Sequence, residues 1–406
     1  MSQATDGSKR GDLVTSGEIW AQFVDAIRRA GEVVTAPGVP SSPMDRAEGY
    51  RYLTRLINAA LTMFVEFSDR EYPEFGRLMD TSIKWGLDNV DCLYSKCSLR
   101  GDATYRVRGT GGSARYLAFF ATSGQFGDET PEGKKGPGGV LGRISNQELV
   151  FEPDGSFELI LSPERHEGNW LPIEKGVDGL GVRQFFSDWE NERPWYLTIE
   201  RVGAEGPPPP LTAEQIEHRL RGAIKFVSPG AQYWDGVARM LWAQPVNQTP
   251  MVERGRSLAD PDQHYGFGWY RVAPDEALIV EFTPPSDALY WSFQVYNWWG
   301  ESWDYTYRQS SLNDHQARLD RDGRCRLVLA HSDPGVPNWI DLADHVEGML
   351  TPRFLRSASA PQPETRLVKL CDVRSVLPPD TPTVDAHTRA ETLRRRRDAV
   401  WRRFRD

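Results

Sequence analysis

Asp154-Gly155-Ser156-Phe157-Glu158-Leu159-Ile160-Leu161 and Asp322-Gly323-Arg324-Cys325-Arg326-Leu327-Val328-Leu329 are the two stretches on which the reading of this chain turns. Each sets an Asp-Gly turn ahead of a run with alternating apolar residues, a strong short-range hairpin signal. Each is followed at nearly the same distance by Asn-Trp, in Asn169-Trp170-Leu171 and Asn338-Trp339-Ile340. Gly179 and Phe185 answer Gly348 and Phe354, and Tyr105-Arg106-Val107 answers Tyr270-Arg271-Val272. Four blocks in one order read as an internal duplication with small loop insertions. A strand unit that ends in a hairpin and is closed by a buried Trp must bury one face against a second sheet. The expected fold is α+β and β-rich: two β-sandwich or jelly-roll-like units, each preceded by helices.

Working outward, residues 1–15 read as a disordered lead-in and 16–93 as a helical region. Ile19, Trp20, Phe23, Val24 and Ile27 recur at helical spacing within Gly17–Val34, and helices are also expected over Met44–Phe67 and Pro73–Trp85. Residues 94–206 form the first β unit, with strands at Tyr105–Val107, Tyr116–Phe120, Glu148–Phe151, Phe157–Leu161 and Trp195–Val202. Gly109–Gly112 and Gly136–Gly139 are turns between them. Pro207–Pro210 is a stiff linker, and 211–245 holds a helix capped by Thr212 and running to Phe226, then a second over Ala231–Ala243. Residues 246–380 are the second β unit, and 381–406 an Arg-rich helix with eight Arg and three acids from Arg389 onward. That helix either lies solvated on the body, pinned by Trp401, or meets an anionic partner.

The chain has 406 residues, 48 Lys+Arg against 57 Asp+Glu, and a formal net charge of −9. That balance argues against a nucleic-acid or anionic-membrane role. There is no run of ~18 consecutive apolar residues to span a membrane, and Met1–Leu13 lacks the apolar core of a secretory signal. The four cysteines, Cys92, Cys97, Cys325 and Cys371, read as reduced thiols of a cytoplasmic protein rather than a zinc site. No P-loop, G-x-S-x-G elbow, H-E-x-x-H or dinucleotide fingerprint is present, so no nucleotide cofactor is expected.

The Asp-Gly…Asn-Trp block resembles a largely bacterial family known as domain of unknown function 1214. Its signature is a strand, a D-G turn, an apolar strand, then P-G and N-W-L-P, and an Arg near an aromatic. The second copy supplies Asp322-Gly323, Asp333-Pro334-Gly335, Asn338-Trp339 and Arg353-Phe354, and departs at Ile340-Asp341 where Leu-Pro is the pattern. The first copy has Asn169-Trp170-Leu171-Pro172 and Arg183 but no Pro-Gly. The resemblance implies a β-rich, jelly-roll-like fold and brings no activity with it.

Candidate chemistry concentrates in the second copy. Nine aromatic residues fall between Tyr290 and Tyr307. Trp291, Phe293 and Val295 alternate onto one strand face, and Ser292, Gln294 and Tyr296 onto the other. Trp298, Trp299, Trp303 and Tyr305 stand beside Glu301 and Asp304, the pairing of flat apolar faces with acceptors that a sugar or ring compound needs. The same residues also suit the closed edge of a sandwich. His331 and Asp333, on a continued strand, point the same way and can serve as a base with its orienter, as two metal ligands, or as loop and turn residues. Asp88 and Asp91 can approach a cation or a sugar or cap a turn, Arg353 can clamp a carboxylate or pair with an acid, and Trp339 closes its loop. No set of metal ligands at fixed spacing is visible. The expected function is an enzyme, of hydrolase or lyase type, using His331, Asp333, Asp304 and Glu301 on a glycoside or hydroxylated ring compound. The alternatives are a binding protein for a lipid- or steroid-like metabolite, or a scaffold acting through its basic helix; homo-oligomerisation stays open.

Overall fold

The computed structural model describes residues 12–126, 128, 138–252 and 260–405. Residues 1–11 of the expected lead-in and the first two residues of the Gly136–Gly139 turn lie outside that range, and 12–15 form a helical turn. Helix α1 (Glu18–Gly31) buries Ile19, Phe23, Ala26 and Ala30 and passes into a 3-10 turn at Glu32–Thr35. Helix α2 (Pro43–Leu61) starts at a capping box in which Ser42 and Asp45 satisfy each other's backbone amides. It ends in a π turn at Thr62–Glu66. The expected third helix is absent: Gly76–Met79 is strand β1, paired antiparallel with β2 (Cys92–Ser98). Asp80 closes the turn after it, its carboxylate accepting from the Ser82 and Ile83 amides, so the chain reverses where a helix would continue.

Two compact units follow from the Cα packing, and neither is a continuous segment. The first runs through Ile83 and adds Leu93–Gln184 and Pro194–Asp235; the second gathers Lys84–Cys92, Phe185–Arg193 and the chain from Gly236 onward. The proline run lies within the first. Helix α3 (Ala213–Trp242) is continuous through Pro229, where two helices were expected. Thr212 caps it as expected, accepting from the Gln215 amide.

In the first unit, β3 (Tyr105–Thr110), β4 (Tyr116–Ser123), β5 (Gly139–Ser145), β6 (Phe157–Ser162), β7 (Trp170–Pro172), β8 (Gly179–Phe185) and β9 (Tyr196–Arg201) complete two sheets. Their orders are β1-β2-β8-β4-β5 and β7-β6-β3-β9. Glu148–Phe151, expected as a strand, is a turn and loop. The second unit carries β10 (Met251–Val252), β11 (Gln263–Gly266), β12 (Gly268–Arg271), β13 (Glu276–Phe282), β14 (Tyr290–Tyr296), β15 (Ser311–Asn313), β16 (Cys325–Ala330), β17 (Trp339–Asp341), β18 (Glu347–Leu355) and β19 (Glu364–Lys369). Its orders are β10-β11-β18-β14-β15, with β12 also on β18, and β17-β16-β13-β19. The short helix α4 (Val373–Val376) and the C-terminal α5 (Ala386–Arg405) follow.

The four-stranded sheets repeat strand for strand, β7-β6-β3-β9 against β17-β16-β13-β19. Gly155 and Gly323 both take positive φ, 81° and 77°, the conformation the Asp-Gly turn requires. Trp170 Nε1 donates to the Ser162 carbonyl and Trp339 Nε1 to the Ala330 carbonyl. One block is misaligned by sequence: Tyr105 lies in β3, whose counterpart is β13, whereas Tyr270 lies in β12 and pairs with β18. Short Tyr-Arg-Val runs suit any half-buried strand, so composition alone misled there.

Alternation sets the core of the second unit. Leu278, Val280 and Phe282 of β13 and Leu327 and Leu329 of β16 face Phe293, Val295 and Phe354 of the other sheet in one cluster. Each such side chain contributes about 1.5–3 kcal/mol by burial. Ala277, Ile279, Val328 and Ala330 point the other way, under Val373 and Leu377.

Candidate functional site

The second face of β14 is the unusual part of the second unit. Directly paired residues share a face, so Ser292 stands with Arg353 and Asn313, and Gln294 with Thr351 and Ser311. All six are polar and none is more than 3% exposed. Burying such groups is costly unless each finds a partner.

The segment Asp88–Asp91 supplies partners. Asp91 accepts at one carboxylate oxygen from Trp189 Nε1 (2.7 Å) and Asn313 Nδ2 (2.8 Å), and at the other from Tyr290 Oη (2.6 Å). Asn89 Nδ2 donates to Tyr290 Oη at 3.0 Å, and its Oδ1 accepts from Gln294 Nε2. Gln294 Oε1 accepts from the Val90 amide at 3.2 Å. Tyr296 Oη lies 2.8 Å from Gln294 Oε1 and 3.0 Å from the Asp88 carbonyl. Asp88 itself accepts from Ser302, from the amide at 2.9 Å and from Oγ at 2.6 Å. The segment enters through strained backbone: Leu87 sits at φ 58°. It is held there by its amide donating to the Gly300 carbonyl (2.9 Å) and by Arg353 Nη2 donating to its carbonyl (2.7 Å).

Burial raises the pKa of Asp88, against the pull of the Lys84 ammonium and the Ser302 hydrogen bonds. Burial and the Asp91 charge together push the Tyr290 phenol well up. Because Asp88 keeps its proton longer when folded, stability is highest below its unfolded pKa and falls as pH climbs through the raised folded value. Asp88→Asn is expected to flatten that slope in urea titrations run across the acid range. A slope equal to that of the unmodified protein would count against a raised Asp88 pKa.

Two arginines of α5 reach the same region. Arg396 lies over the Trp189 ring at 4.2 Å and Arg403 at 4.5 Å. Arg396 donates to Ser311 Oγ at 2.6 Å and Arg403 to the Val90 carbonyl at 2.8 Å. Desolvation pulls the Arg396 pKa down to about 10 and lowers that of Arg403, with the Asp91 charge opposing it in both. The Arg-rich segment thus turns a cationic face inward.

The sequence candidates divide. Asp88, Asp91 and Arg353 lie in the network, and Glu301, fully buried, accepts from Asn297 Nδ2 at 3.0 Å in the loop beside it. Strand β16 stops at Ala330, so His331 and Asp333 are not on a continued strand. His331 Nε2 is 2.9 Å from the Val272 carbonyl, and Asp333 pairs with Arg389 at 2.8 Å. Asp304 is exposed and caps a turn through the Thr306 amide. Trp298, Trp299, Trp303 and Tyr305 are at most 4% exposed and pack inward instead of lining an open pocket. Trp303 stacks on His345 at 4.4 Å, and Trp298 meets Trp269 edge-on. Trp339 lies under Arg389. Sequence reading missed Tyr290, Gln294, Asn313, Trp189, Arg396 and Arg403 as members; only the alternation through β14 hinted at the first two. Among the described residues no three His, Cys, Asp or Glu side chains are placed to hold a metal. No helix among them is long and apolar enough to cross a membrane.

The first copy handles the same face differently. Arg183 lies over Tyr94 (5.5 Å) and Phe120 (5.3 Å), as Arg353 lies over Tyr265 (5.8 Å) and Tyr296 (5.7 Å). Ala118 pairs with Ser145 as Ser292 pairs with Asn313, and the next amides, Asn146 and Asp314, donate to the Leu117 and Trp291 carbonyls alike. By that register Tyr116, Ala118 and Phe120 stand where the second copy has Tyr290, Ser292 and Gln294.

The family described as "Protein of unknown function (DUF1214)" matches residues 95–183 and 273–358, one stretch in each copy. A solved structure of an uncharacterised protein from Burkholderia cenocepacia is 34% identical, covering 89% of this chain and all of its own, with a TM-score of 0.85. A Vibrio parahaemolyticus protein of known structure is 12% identical over 85% of this chain and all of its own, with a TM-score of 0.44, too loose a likeness to argue from. No curated protein sequence matches the chain significantly.

Proposed function

The chain belongs to the DUF1214 family, and on that footing we propose that its second β unit is an enzyme site for acid–base chemistry on a hydroxylated small molecule. The reaction is of hydrolase or lyase type, with Asp91 and Tyr290 as the proton-transfer pair. The observation that supports this is the polar face present in one copy only. The first copy builds the same sheet face with Ala118 and Phe120 in place of Ser292 and Gln294, so the architecture does not demand those two polar residues. A buried carboxylate, two buried phenols and an arginine converging there form a group whose members hold and pass protons at fixed positions. Asp91, fixed by Trp189 and Asn313 on one oxygen, accepts from Tyr290 on the other, so the two are aligned for a relay that needs no side-chain motion. Asp88, whose pKa burial raises, is the neighbouring carboxyl group. Its hydroxyl and amide partners are the kind a polyhydroxylated ligand replaces.

The network is closed on itself, which favours one second reading: a site that holds a hydroxylated ligand without changing it. Turnover of a panel of glycosides and hydroxylated ring compounds, followed by mass spectrometry, separates the two. Once a substrate is found, Asp91→Asn and Tyr290→Phe are each expected to lose about 10²–10⁴-fold in rate with circular dichroism unchanged. Full activity in both variants would remove these residues from the chemistry. Ligand binding without product would establish the second reading.

A further inference from the structure

Arg389, Arg396 and Arg403 recur every seven residues and so share one face of α5. All three are buried, at 6%, 7% and 5% exposure. Arg389 is an ionic anchor: Nε donates to Asp333 at 2.8 Å, Nη2 to the Val336 carbonyl at 2.6 Å, and the guanidinium lies 5.2 Å from the Trp339 ring. Arg396 and Arg403 bond instead to neutral oxygens: Ser311 Oγ and the Tyr305 carbonyl for the first, the Val90 carbonyl for the second. Ser311 belongs to the polar face, and Val90 lies between Asp88 and Asp91. The last two turns of the helix therefore cover the candidate site itself.

The energetics of that cover are unusual. Between Arg389 and Arg403 the buried apolar residues are Ala399 and Val400. Apart from Phe404 against Tyr305 and Trp401 against Tyr307, the docked face is largely guanidinium, whose desolvation offsets most of what its hydrogen bonds and ring contacts contribute. The lowered pKa values of Arg396 and Arg403 reflect the same cost. A helix docked on such terms detaches more easily than one held by an apolar stripe. Its Arg389 end, tied by an ion pair, stays attached.

We infer that the C-terminal half of α5 is a strap over the polar face, hinged at Arg389, whose release admits ligand to the Asp91 region. This rests on the polar face being the site, but its test involves no substrate, so the strap can fail while that reading stands. Cys92 reports opening: it follows Asp91, is buried at 2% exposure, and lies within electrostatic reach of Arg403. Cys97 and Cys325 are buried within strands and serve as internal references, while Cys371 is exposed. The full-length native protein is treated with iodoacetamide and each cysteine followed by mass spectrometry. Cys92 is expected to react about tenfold or more faster than Cys97 and Cys325, as local opening predicts. Arg403→Gln is expected to speed Cys92 about tenfold further and leave Cys325 unchanged. A Cys92 rate equal to that of Cys325, or a variant in which all buried thiols accelerate together, overturns the strap. Should Arg403→Gln fail to fold, hydrogen exchange on the unmodified protein decides: amides of 396–405 must exchange ahead of those in β14 and β18, and equal rates overturn the proposal.

Discussion

Asp91→Ala is expected to lower the unfolding free energy by about 3–5 kcal/mol, the range for breaking a buried charged network from one side. The substitution leaves Trp189 Nε1, Asn313 Nδ2 and Tyr290 Oη without their shared acceptor in a region with no exposed surface. It also removes the negative charge that Arg396 and Arg403 feel in their buried positions. Asp91→Asn is expected to cost less, about 1–2 kcal/mol, because its amide oxygen still accepts from Trp189 and Asn313 and its NH2 can donate to Tyr290 Oη. Guanidinium denaturation of the two variants, with the slope m held as the check on two-state behaviour, measures the difference. An Asp91→Ala loss below about 1 kcal/mol would mean that the network relaxes onto other acceptors and that Asp91 does not hold it together.

How much of this was legible beforehand depends on how local each signal is. The Asp-Gly turns and the strands after them are local, and Gly155 and Gly323 adopt the conformation that the dipeptide predicts. The duplication was legible for the same reason, except at Tyr105 and Tyr270, where two similar strands occupy different places in their sheets. Pro73–Trp85 shows the opposite case. Nothing within it opposes a helix strongly, and pairing with β2 across the sheet makes Gly76–Met79 a strand instead. At the site, Asp88 and Asp91 stood out as close acids and Ser292, Gln294 and Tyr296 as one strand face. Their meeting could not be read, because they are about 200 residues apart in sequence and joined only by the fold. The aromatic cluster misdirected the reading in a physical way. Trp and Tyr are amphipathic, so the same residues that line a ligand groove also close a core edge. Only burial separates the two, and Trp298, Trp299 and Trp303 are buried. Arg396 and Arg403 were hidden by the reasonable prior that an Arg-rich helix faces water.

The second large effect tests the duplication itself. Asn338 makes three hydrogen bonds to backbone: its Oδ1 accepts from the Arg318 amide (2.8 Å), and its Nδ2 donates to the carbonyls of Arg318 (2.7 Å) and Arg326 (3.1 Å). Asn169 makes the same three, to the Val150 amide (2.7 Å) and to the carbonyls of Val150 (2.8 Å) and Glu158 (2.9 Å). Each Asn thus ties the loop before its Asp-Gly turn to the strand after it, which explains why Asn accompanies Trp in both copies. The surroundings differ: Asn338 is 7% exposed, whereas Asn169 is partly open to solvent. Asn338→Ala strands three backbone groups out of reach of water and is expected to cost about 2–4 kcal/mol. Asn169→Ala lets water replace the lost partners, so about 1–2 kcal/mol is expected. Denaturant midpoints of the two variants, made in the full-length chain, give the comparison directly. A larger loss at Asn169 than at Asn338 would show that burial does not set the worth of this shared tie, and that the two copies use it for different ends.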